Sequence, residues 1–366
     1  MSKQNNYAII MAGGVGSRFW PWSRSNRPKQ FLDILDTGKT LIEQTFDRLK
    51  TICAPEHIMV VTNKRYKDDI LRLLPQMPED NILLEPMMRN TAPCIAYGAY
   101  KIQKQNPEAR MIVAPADHLV MKEEVFTHVV EKGFAYASQH NALLTIGIKP
   151  HRPETGYGYI KADDKTIEQQ NDHYSLHPVI QFTEKPDMDT AQKFLKEGNY
   201  YWNSGMFIWS VESILKAFDA YLPTINSLFI QNIEKINTAI EPKAIEDIYS
   251  QSENISIDYG IMEKADNVHV LCTDIGWSDI GTWGSLYEHA HHDEHQNAIR
   301  GEKVILDETK NCVIKVSKNK ASVIQGLENY IVVDDEKALL ICKKQDEQKI
   351  RNYVKKVKQD FGEDYA

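Results

Sequence analysis

The chain has 366 residues, of which 42% are hydrophobic and 26% charged, with 51 acidic side chains, 43 basic ones and a formal net charge of −8. This composition is that of a globular protein with a sizeable core, and it excludes a disordered chain, a collagen-like repeat and a coiled coil. The negative balance also argues against nucleic acid or an anionic membrane as a partner.

The charge is unevenly distributed along the chain. The first 32 residues contain five Lys or Arg and no Asp or Glu, so this segment carries +5 and the remainder −13. An acid-free basic segment in an acidic protein predicts a local anion-binding site.

Nothing in the sequence predicts secretion or membrane insertion. The apolar run at 7–12 is too short for a signal or membrane segment. The five cysteines are scattered without metal-ligand spacing, which favours buried free thiols. We therefore expect a cytoplasmic protein.

Short apolar runs alternate with amphipathic segments in the first part of the chain. The runs predict strands at 7–11, 58–62, 81–84, 111–114 and 142–146. The amphipathic segments predict helices at 41–52, 66–74, 92–103 and 123–138. This order predicts an α/β fold with a doubly wound, mostly parallel sheet.

The pattern becomes less regular from residue 157 onward. We predict strands at 157–161, 179–182 and 205–209, and helices at 187–196, 211–218, 242–249 and 256–265. Short Val/Ile-rich segments then recur at 303–306, 312–315, 322–325, 330–333 and 338–341, before a charged helix at 345–361. The sequence therefore predicts two domains, a large α/β domain at 1–290 and a small β-rich domain with a terminal helix at 291–366.

A glycine-rich loop follows the first predicted strand, with the sequence AGGVGSR at 12–18. Glycines at such a turn let backbone N–H groups approach a phosphate. Phe19 stands where a dinucleotide fingerprint needs its third glycine, and the Gly-Lys-Ser/Thr of a Walker loop is absent. The basic continuation to Lys29 favours a polyphosphate ligand over a solvated basic loop.

Two aspartates are candidates for a cation site. Asp117 follows the strand at 111–114 and so lies at the carboxyl end of a strand, where open α/β sheets bind ligands. A carboxylate there would repel phosphates unless a divalent cation such as Mg²⁺ stood between them. Asp279 is the second candidate, and its alternative role is to cap a helix beginning near Ile280.

The loop and several later segments resemble one family. Residues 13–29 match the signature Gly-Gly-x-Gly-(Ser/Thr)-Arg … Pro-Lys of sugar-1-phosphate nucleotidylyltransferases. Further matches are EP at 85–86, RNTAP at 89–93, PADH at 115–118, TGYGYI at 155–160, FTEKP at 182–186, WNSGMF at 202–207 and GWSDIG at 276–281. The chain resembles this family over 7–283, in particular the members that use GTP and mannose 1-phosphate.

The resemblance implies a fold, a reaction and a set of site residues. The fold is a Rossmann-like nucleotidyltransferase domain of the GT-A type with a β-helix-like C-terminal domain. The reaction is Mg²⁺-assisted in-line displacement on the α-phosphorus of GTP by mannose 1-phosphate, which gives GDP-mannose and diphosphate. The implied residues are Arg18 and Lys29 for catalysis; Ala12, Gly13, Gly14, Gly16, Ser17, Glu85, Asn90 and Thr91 for the nucleotide; Gly158, Glu184, Lys185 and Asn203 for the sugar phosphate; and Asp117 and Asp279 for the metal.

Elementary chemistry agrees with these roles. Arginine can fork two phosphate oxygens, and lysine offers a compact charge. The carboxylate of Glu85 can accept both the N1–H and the N2 amino group of guanine, although a plain loop carboxylate is the alternative. Glu184 and Asn203 can hydrogen-bond vicinal hydroxyls, and Lys185 can meet the sugar phosphate.

Other interpretations stay open at this point. The chain could use another sugar phosphate or another base, or it could be a non-catalytic regulatory subunit that senses GDP-mannose. The β-rich segment suggests a homodimer, because β edges need covering.

Overall fold

The structure is a computed structural model that describes residues 3–170 and 173–366. These residues fold into two compact units. The first unit consists of the described residues within Met1–Gly13, Thr45–Ala116 and Val120–Trp277, and the second of Gly14–Gln44, Asp117–Leu119 and Ser278–Ala366. The second unit therefore combines the glycine-loop segment with the C-terminal part of the chain.

The secondary structure of the described residues is as follows. The α-helices are α1 (Leu41–Lys50), α2 (Lys67–Leu73), α3 (Thr91–Gln105), α4 (Glu123–Ala137), α5 (Met188–Glu197), α6 (Val211–Tyr221), α7 (Pro223–Gln231), α8 (Glu241–Gln251), α9 (Trp283–His289) and α10 (Ile350–Phe361). The strands are β1 (Asn6–Ala12), β2 (Ile58–Asn63), β3 (Ile82–Glu85), β4 (Arg110–Pro115), β5 (Leu119–Val120), β6 (Leu143–Ile148), β7 (Tyr159–Ala162), β8 (Glu168–Gln170), β9 (Tyr174–Thr183), β10 (Tyr200–Ser210), β11 (Val268–Thr273), β12 (Trp277–Ser278), β13 (Ala298–Arg300), β14 (Val304–Asp307), β15 (Val313–Lys315), β16 (Ser322–Gln325), β17 (Tyr330–Asp335) and β18 (Ala338–Lys343).

A ten-stranded sheet forms the centre of the first unit. Its strand order is β3-β2-β1-β4-β10-β6-β11-β9-β7, with β8 paired to β9. Within the part of the chain that the structure describes, eight of these strands run in one direction, and β9 and β10 run against them. The predicted doubly wound, mostly parallel sheet is confirmed.

Helices cover both faces of this sheet. On one face, Tyr7 and Ile9 of β1 share a core cluster with Ile95 of α3. On the other face, Ile208 of β10 lies against Gly133 of α4. Alternate residues along a strand face opposite sides, so both faces of the apolar strands are buried, as parallel strands require.

The structure extends the predicted strand at 205–209 to the eleven residues of β10. The segment Asn203-Ser204-Gly205 has the composition of a turn, yet it is an irregularity within the strand. The register against β6 shifts between Asn203 and Phe207, and Gly205 has φ +70°. A bulge aims side chains in a new direction without ending the strand.

Some predicted elements are wrong or incomplete. The predicted helix at 256–265 is one π-helical turn, Asp258–Met262. The sequence prediction also missed α7, α9, β5, β8, β11, β12 and β13. These elements are short, and short apolar runs do not distinguish strand from helix by periodicity.

The second unit contains parallel β ladders. Strand β13 pairs with β15 and β15 with β17, while β14 pairs with β16, all in parallel. Strand β18 then pairs antiparallel with β17 at the edge of its sheet. Paired positions lie fifteen to eighteen residues apart along the chain, which is the arrangement of a small β-helix. The predicted β-rich segment is confirmed.

The terminal helix is shorter than predicted. Residues Lys344–Lys349 form a 3-10 helix, and α10 follows at Ile350. Ile350 is buried, and Val354 and Val357 pack against the same cluster, which also contains Phe19 of the glycine-loop segment. This spacing places one apolar stripe of α10 on the core of the second unit.

Candidate active site

Gly16 shapes the glycine loop in the second unit. It has φ +70°, and a Cβ added there would lie 2.4 Å from Cβ of Lys29. The N–H of Lys29 donates to the carbonyl of Val15 at 3.1 Å, and the Ser23 hydroxyl donates to the carbonyl of Gly16 at 2.6 Å. The loop therefore folds tightly over Lys29 and needs glycine at position 16 for both conformation and space.

The other two predicted residues of the loop are Gly14 and Ser17. Gly14 is exposed, and a Cβ there would meet nothing within 4 Å, so a ligand can approach its backbone. Ser17 is half-buried and begins the short 3-10 turn Ser17–Phe19.

Lys29 connects the two aspartates that the sequence assigned to metal binding. Its Nζ donates to Oδ2 of Asp117 at 2.9 Å, to the carbonyl of Asp117 at 2.9 Å and to the carbonyl of Asp279 at 2.5 Å. The Lys29 side chain is only 3% exposed, whereas that of Asp117 is 33% exposed. The structure therefore brings Lys29, Asp117 and Asp279 together around one ammonium nitrogen.

Asp117 is held in its ionised form. Burial acts to raise its pKa, but Lys29 and His118 oppose burial and leave the pKa of this carboxyl below its ordinary value. Nε2 of His118 lies 3.8 Å from Oδ1 of Asp117. Asp117 is thus a carboxylate at neutral pH, as a ligand for a hard cation must be.

Asp279 does not cap a helix. The next helix, α9, begins at Trp283, and its N-cap is Thr282, whose side chain forms a capping box with Ser285. Oδ1 of Asp279 instead accepts the N–H of Gly281 at 2.9 Å. The alternative that Asp279 is an N-cap near Ile280 is therefore wrong.

Arg18 carries a buried nitrogen without a hydrogen-bond partner. Its Nε is inaccessible to solvent and makes no hydrogen bond with the described residues. Nε of Arg48 is buried without a partner in the same way, so this feature does not by itself distinguish Arg18 as a ligand-binding residue. Arg24, by contrast, is paired with Asp335 in the interior of the second unit.

In the first unit, Glu85 is buried at the end of β3. Its Oε1 accepts the hydroxyl of Tyr249 at 3.1 Å, and its Oε2 lies 3.4 Å from where a Cβ of Gly13 would be. Burial raises the pKa of Glu85 to about 7, although the Tyr249 hydrogen bond lowers it. The carbonyl of Ala12 accepts the hydroxyl of Thr62 at 2.9 Å. The sequence prediction missed Tyr249, because nothing near residue 249 in the chain points to residue 85.

Asn90 and Thr91 stand at the start of α3. Asn90 is exposed, and its Oδ1 accepts the N–H of Thr91 at 3.0 Å as a cap. The Thr91 hydroxyl accepts the N–H of Ile257 at 2.9 Å. Both side chains thus have structural contacts.

The predicted sugar-phosphate residues lie together in the first unit. A Cβ at Gly158 would lie 2.4 Å from Oε2 of Glu184 and 3.4 Å from Cβ of Asn203. Nζ of Lys185 forms an ion pair with Oε1 of Glu184, and the backbone N–H of Asn203 donates to the carbonyl of Gly158 at 2.8 Å. Glycine at 158 leaves the space that Glu184 occupies.

Asp258 joins this cluster. Nδ2 of Asn203 donates to Oδ1 of Asp258 at 2.9 Å. Burial, and then the negative charge of Glu184, raise the pKa of Asp258 to about 6. The sequence signal for Asp258 is weak because the residue lies in the π-helical turn, where no strand end or motif marks it.

The residues around Lys29 fit a divalent cation. Asp117 offers a carboxylate oxygen beside Nζ of Lys29, whereas Asp279 contacts this nitrogen through its backbone carbonyl and its carboxylate accepts the N–H of Gly281. Among residues 3–170 and 173–366, no group of three or more His, Cys, Asp or Glu is placed to hold a metal by itself. Mg²⁺ is commonly held by one or two carboxylates together with phosphate oxygens and water, which is what this donor set allows.

The α/β unit and the glycine loop define a nucleotidyltransferase. The Nucleotidyl transferase family model matches residues 7–296, and the MannoseP isomerase/GMP-like beta-helix domain model matches residues 301–357. Enzymes of this class generally use divalent metal ions.

No helix among the described residues is long and apolar enough to span a membrane.

Several curated proteins and a solved structure are similar over most of the chain. The mannose-1-phosphate guanylyltransferase of Escherichia coli is 34% identical over 351 residues, which are 94% of this chain and 74% of that protein. The mannose-1-phosphate guanylyltransferase of Salmonella montevideo is 35% identical over 353 residues, 96% of this chain and 73% of that protein. The solved structure of a "mannose-1-phosphate geranyltransferase" from Thermus thermophilus is 28% identical with a TM-score of 0.85, covering 97% of this chain and 100% of that one. The chain belongs to the mannose-1-phosphate guanylyltransferase family.

Proposed function

We propose that this protein transfers GMP from GTP to mannose 1-phosphate, releasing diphosphate and forming GDP-mannose. The observation that carries the proposal is the convergence of Asp117 and Asp279 on Nζ of Lys29, beneath the loop that Gly16 shapes. The reaction brings polyanions together, so catalysis consists mainly of positioning and charge neutralisation.

The phosphate roles fall to residues of the second unit. Lys29 supplies positive charge at the reacting centre while its ammonium donates to Asp117 and Asp279, and Arg18 binds the triphosphate through its guanidinium fork. The backbone of Gly14, Gly16 and Ser17 offers N–H groups to the same anion.

Mg²⁺ would be held by Asp117 and Asp279. When bound, it would neutralise charge on the phosphate oxygens at which the displacement occurs. In the protein itself, Lys29 keeps Asp117 ionised and so preserves a ligand for a hard cation.

Base selection falls to Glu85. As a carboxylate it accepts both donors of the guanine edge and leaves a base with an acceptor there unpaired. Tyr249 orients Oε1, and Gly13 leaves Oε2 unobstructed. Ala12, Gly13, Asn90 and Thr91 complete the proposed nucleotide-binding set, with Asn90 and Thr91 acting through the start of α3.

The sugar phosphate is assigned to the cluster around Gly158. Glu184 and Asn203 provide acceptors and donors for vicinal hydroxyls, and Lys185 provides a charge for the phosphate. Asp258 holds the amide of Asn203 and so fixes the direction of its remaining groups.

The direct test is a substrate panel. Purified protein is incubated with Mg²⁺, each nucleoside triphosphate and each of several hexose 1-phosphates, and diphosphate release is measured. We expect the highest kcat/KM with GTP and mannose 1-phosphate. A higher value with another pair would assign a different sugar or base, and no release with any pair would favour a GDP-mannose-binding subunit without activity.

We propose that the chain is organised as a catalytic domain at 1–290 and a small β-rich domain at 291–366. The separate family matches at 7–296 and 301–357 support this division.

We also propose a cytoplasmic location, because all five cysteines are free and buried.

We propose a homodimer formed through the edge strand β18. Leu339 and Ile341 on this strand are 58% and 53% exposed. Exposed apolar edges favour pairing with a second copy. Light scattering of the wild type and of the Leu339→Lys variant tests the dimer, which the lysine should weaken; an unchanged mass would contradict this surface.

A further inference from the structure

Arg89 lies between β3 and α3 and has no role in the proposed function. Its Nε donates to the carbonyl of Tyr249 at 3.0 Å, and its Nη2 donates to the carbonyl of Ser250 at 3.4 Å. Both carbonyls belong to the last turn of α8, which ends at Gln251. The guanidinium of Arg89 therefore contacts the C-terminal end of α8.

A basic side chain suits this end of a helix. The last carbonyls of a helix have no intrahelical partners, and they carry the negative end of the helix dipole. In α8 the carbonyl of Ile248 accepts the N–H of Ser252 at 2.9 Å. Arg89 supplies donors to the next two carbonyls and so caps the helix from outside it.

Tyr249 is held at two points by the short segment from Glu85 to Arg89. Its hydroxyl donates to Oε1 of Glu85 at 3.1 Å, while its carbonyl accepts Nε of Arg89 at 3.0 Å. Tyr249 is fully buried, and Glu85 is 7% exposed. A tyrosine side chain has only two torsions, so the position of its backbone largely sets where its hydroxyl can lie. Arg89 is thereby connected to Glu85 through Tyr249.

The other end of α8 is anchored independently. Oε1 of Glu241 accepts the hydroxyl of Tyr97 at 2.5 Å and Nζ of Lys101 at 2.8 Å, and both donors belong to α3. The side chains of Lys101 and Glu241 are buried. Loss of Arg89 should therefore loosen the end of α8 that carries Tyr249 and leave the beginning of the helix in place.

We infer that Arg89 is a positioning residue for base selection, because it caps α8 and so fixes Tyr249, which orients the carboxylate of Glu85. This assignment rests on the proposed function and adds to it a residue that determines specificity without touching the base. The competing role for this half-buried arginine is direct contact with a phosphate. A phosphate contact would strengthen the binding of all nucleotides alike, whereas a positioning role changes the preference between bases.

The test compares the binding of GDP and IDP, which differ only in the N2 amino group of the base. Isothermal titration in the presence of Mg²⁺ gives the Kd of each nucleotide. The wild type should bind GDP more tightly, because Glu85 can accept the additional donor. In Arg89→Ala the preference for GDP should fall roughly tenfold, which is the scale of one hydrogen bond to a charged group. Arg89→Lys should restore part of the preference, because an ammonium can also donate to the carbonyls at the end of a helix.

Lys104→Ala is the matched control for the loss of contacts with backbone carbonyls. Nζ of Lys104 donates to the carbonyls of Ile233 and Ile236 at 3.1 and 2.9 Å, and these carbonyls lie outside α8. The variant should keep the wild-type preference for GDP over IDP. Melting temperatures measured alongside the titrations show whether each variant is folded.

A double-mutant cycle examines whether Arg89 acts through Tyr249. Tyr249→Phe removes the hydrogen bond to Glu85, so the further change Arg89→Ala should leave the preference for GDP where Tyr249→Phe alone has brought it. Losses that add in the double variant would show that Arg89 acts by another route and would overturn the inference.

The outcomes separate this inference from the proposed function. An equal weakening of GDP and IDP binding in Arg89→Ala, or an equal loss of preference in Lys104→Ala, overturns the role of Arg89 even if the wild type forms GDP-mannose. A wild type that forms no GDP-mannose contradicts the proposed function, while the titrations with GDP and IDP still decide the role of Arg89.

Discussion

Nζ of Lys29 lies 2.9 Å from Oδ2 of Asp117, and the same nitrogen contacts the carbonyl of Asp279. The ammonium of Lys29 thus neutralises the carboxylate of Asp117 within the protein itself. It also ties three distant parts of the chain together, because these residues lie in separate segments of the second unit.

Asp117→Asn should abolish most of the turnover. The amide keeps the shape but loses the charge that a hard cation requires, so kcat should fall about 10²–10³-fold. Steady-state rates over a range of Mg²⁺ concentrations measure the effect. Asp360→Asn, at an exposed position, is the control and should keep the wild-type rate. Wild-type turnover in Asp117→Asn would require a different metal ligand.

The raised pKa of Glu85 predicts how GTP use depends on pH. The carboxylate must be ionised to accept both guanine donors, so kcat/KM for GTP should fall about tenfold per pH unit below about pH 7. Tyr249→Phe removes the hydrogen bond that lowers this pKa, and the midpoint should therefore move to higher pH. Profiles between about pH 5.5 and 9 measure it, with the exposed Tyr259→Phe as control. Superimposable profiles of the wild type and Tyr249→Phe would contradict the positioning role of Tyr249.

Glu85→Gln should make the protein more stable and less selective. A carboxyl whose folded pKa is about 7 rather than 4.5 costs stability as pH rises through that interval, about 3 kcal/mol when fully ionised. The glutamine avoids this cost but cannot accept both guanine donors, so GTP should lose its preference over other triphosphates. Denaturant unfolding near pH 8.5 and a nucleotide panel measure the two effects. The control is Glu253→Gln on the surface, which should change neither the stability nor the nucleotide preference. An unchanged preference for GTP in Glu85→Gln would show that Glu85 does not select the base.

Local patterns predicted the parts of the fold that depend on local physics. Strand β1 and helix α3 are long enough for the spacing of their apolar residues to indicate the type of secondary structure. The glycine loop is recognisable from its residue types alone. The bulge at Asn203 was not predictable, because its residues have turn composition and only the neighbouring strands keep them extended.

The candidate site also combines residues that the sequence predicts with contacts that only the fold creates. Residue chemistry offers reasons to choose Lys29 and Asp117 separately, but their hydrogen bond depends on tertiary folding. Tyr249 carries no motif, and only the fold shows that its hydroxyl reaches Glu85. Sequence patterns therefore identify residues by chemistry, and the fold adds the residues that orient them.

Gly16→Ala should destabilise the loop. The alanine would have to adopt φ +70° and would approach the side chain of Lys29 to 2.4 Å, which together cost roughly 2–4 kcal/mol. Thermal unfolding measures the loss, and activity should fall with it because Lys29 is displaced. Gly14→Ala is the stability control, since its Cβ meets open space. Equal melting temperatures for the two variants would show that Gly16 is not constrained.

Asp335→Asn tests whether the β-helix and the glycine-loop segment are stabilised together. Asp335 pairs with Arg24 and lies 3.3 Å from Nζ of Lys315, and the side chains of Arg24 and Asp335 are 9% and 8% exposed. Removing one partner leaves buried cations uncompensated, so the free energy of unfolding should fall by about 3–5 kcal/mol. Asp334→Asn is the matched control, because Asp334 pairs with the exposed Lys320 and such pairs contribute about 1 kcal/mol or less. The KM for GTP should rise in Asp335→Asn, because Arg24 belongs to the segment that carries Arg18. A variant with wild-type stability and KM would show that the pair between Arg24 and Asp335 holds neither segment in place.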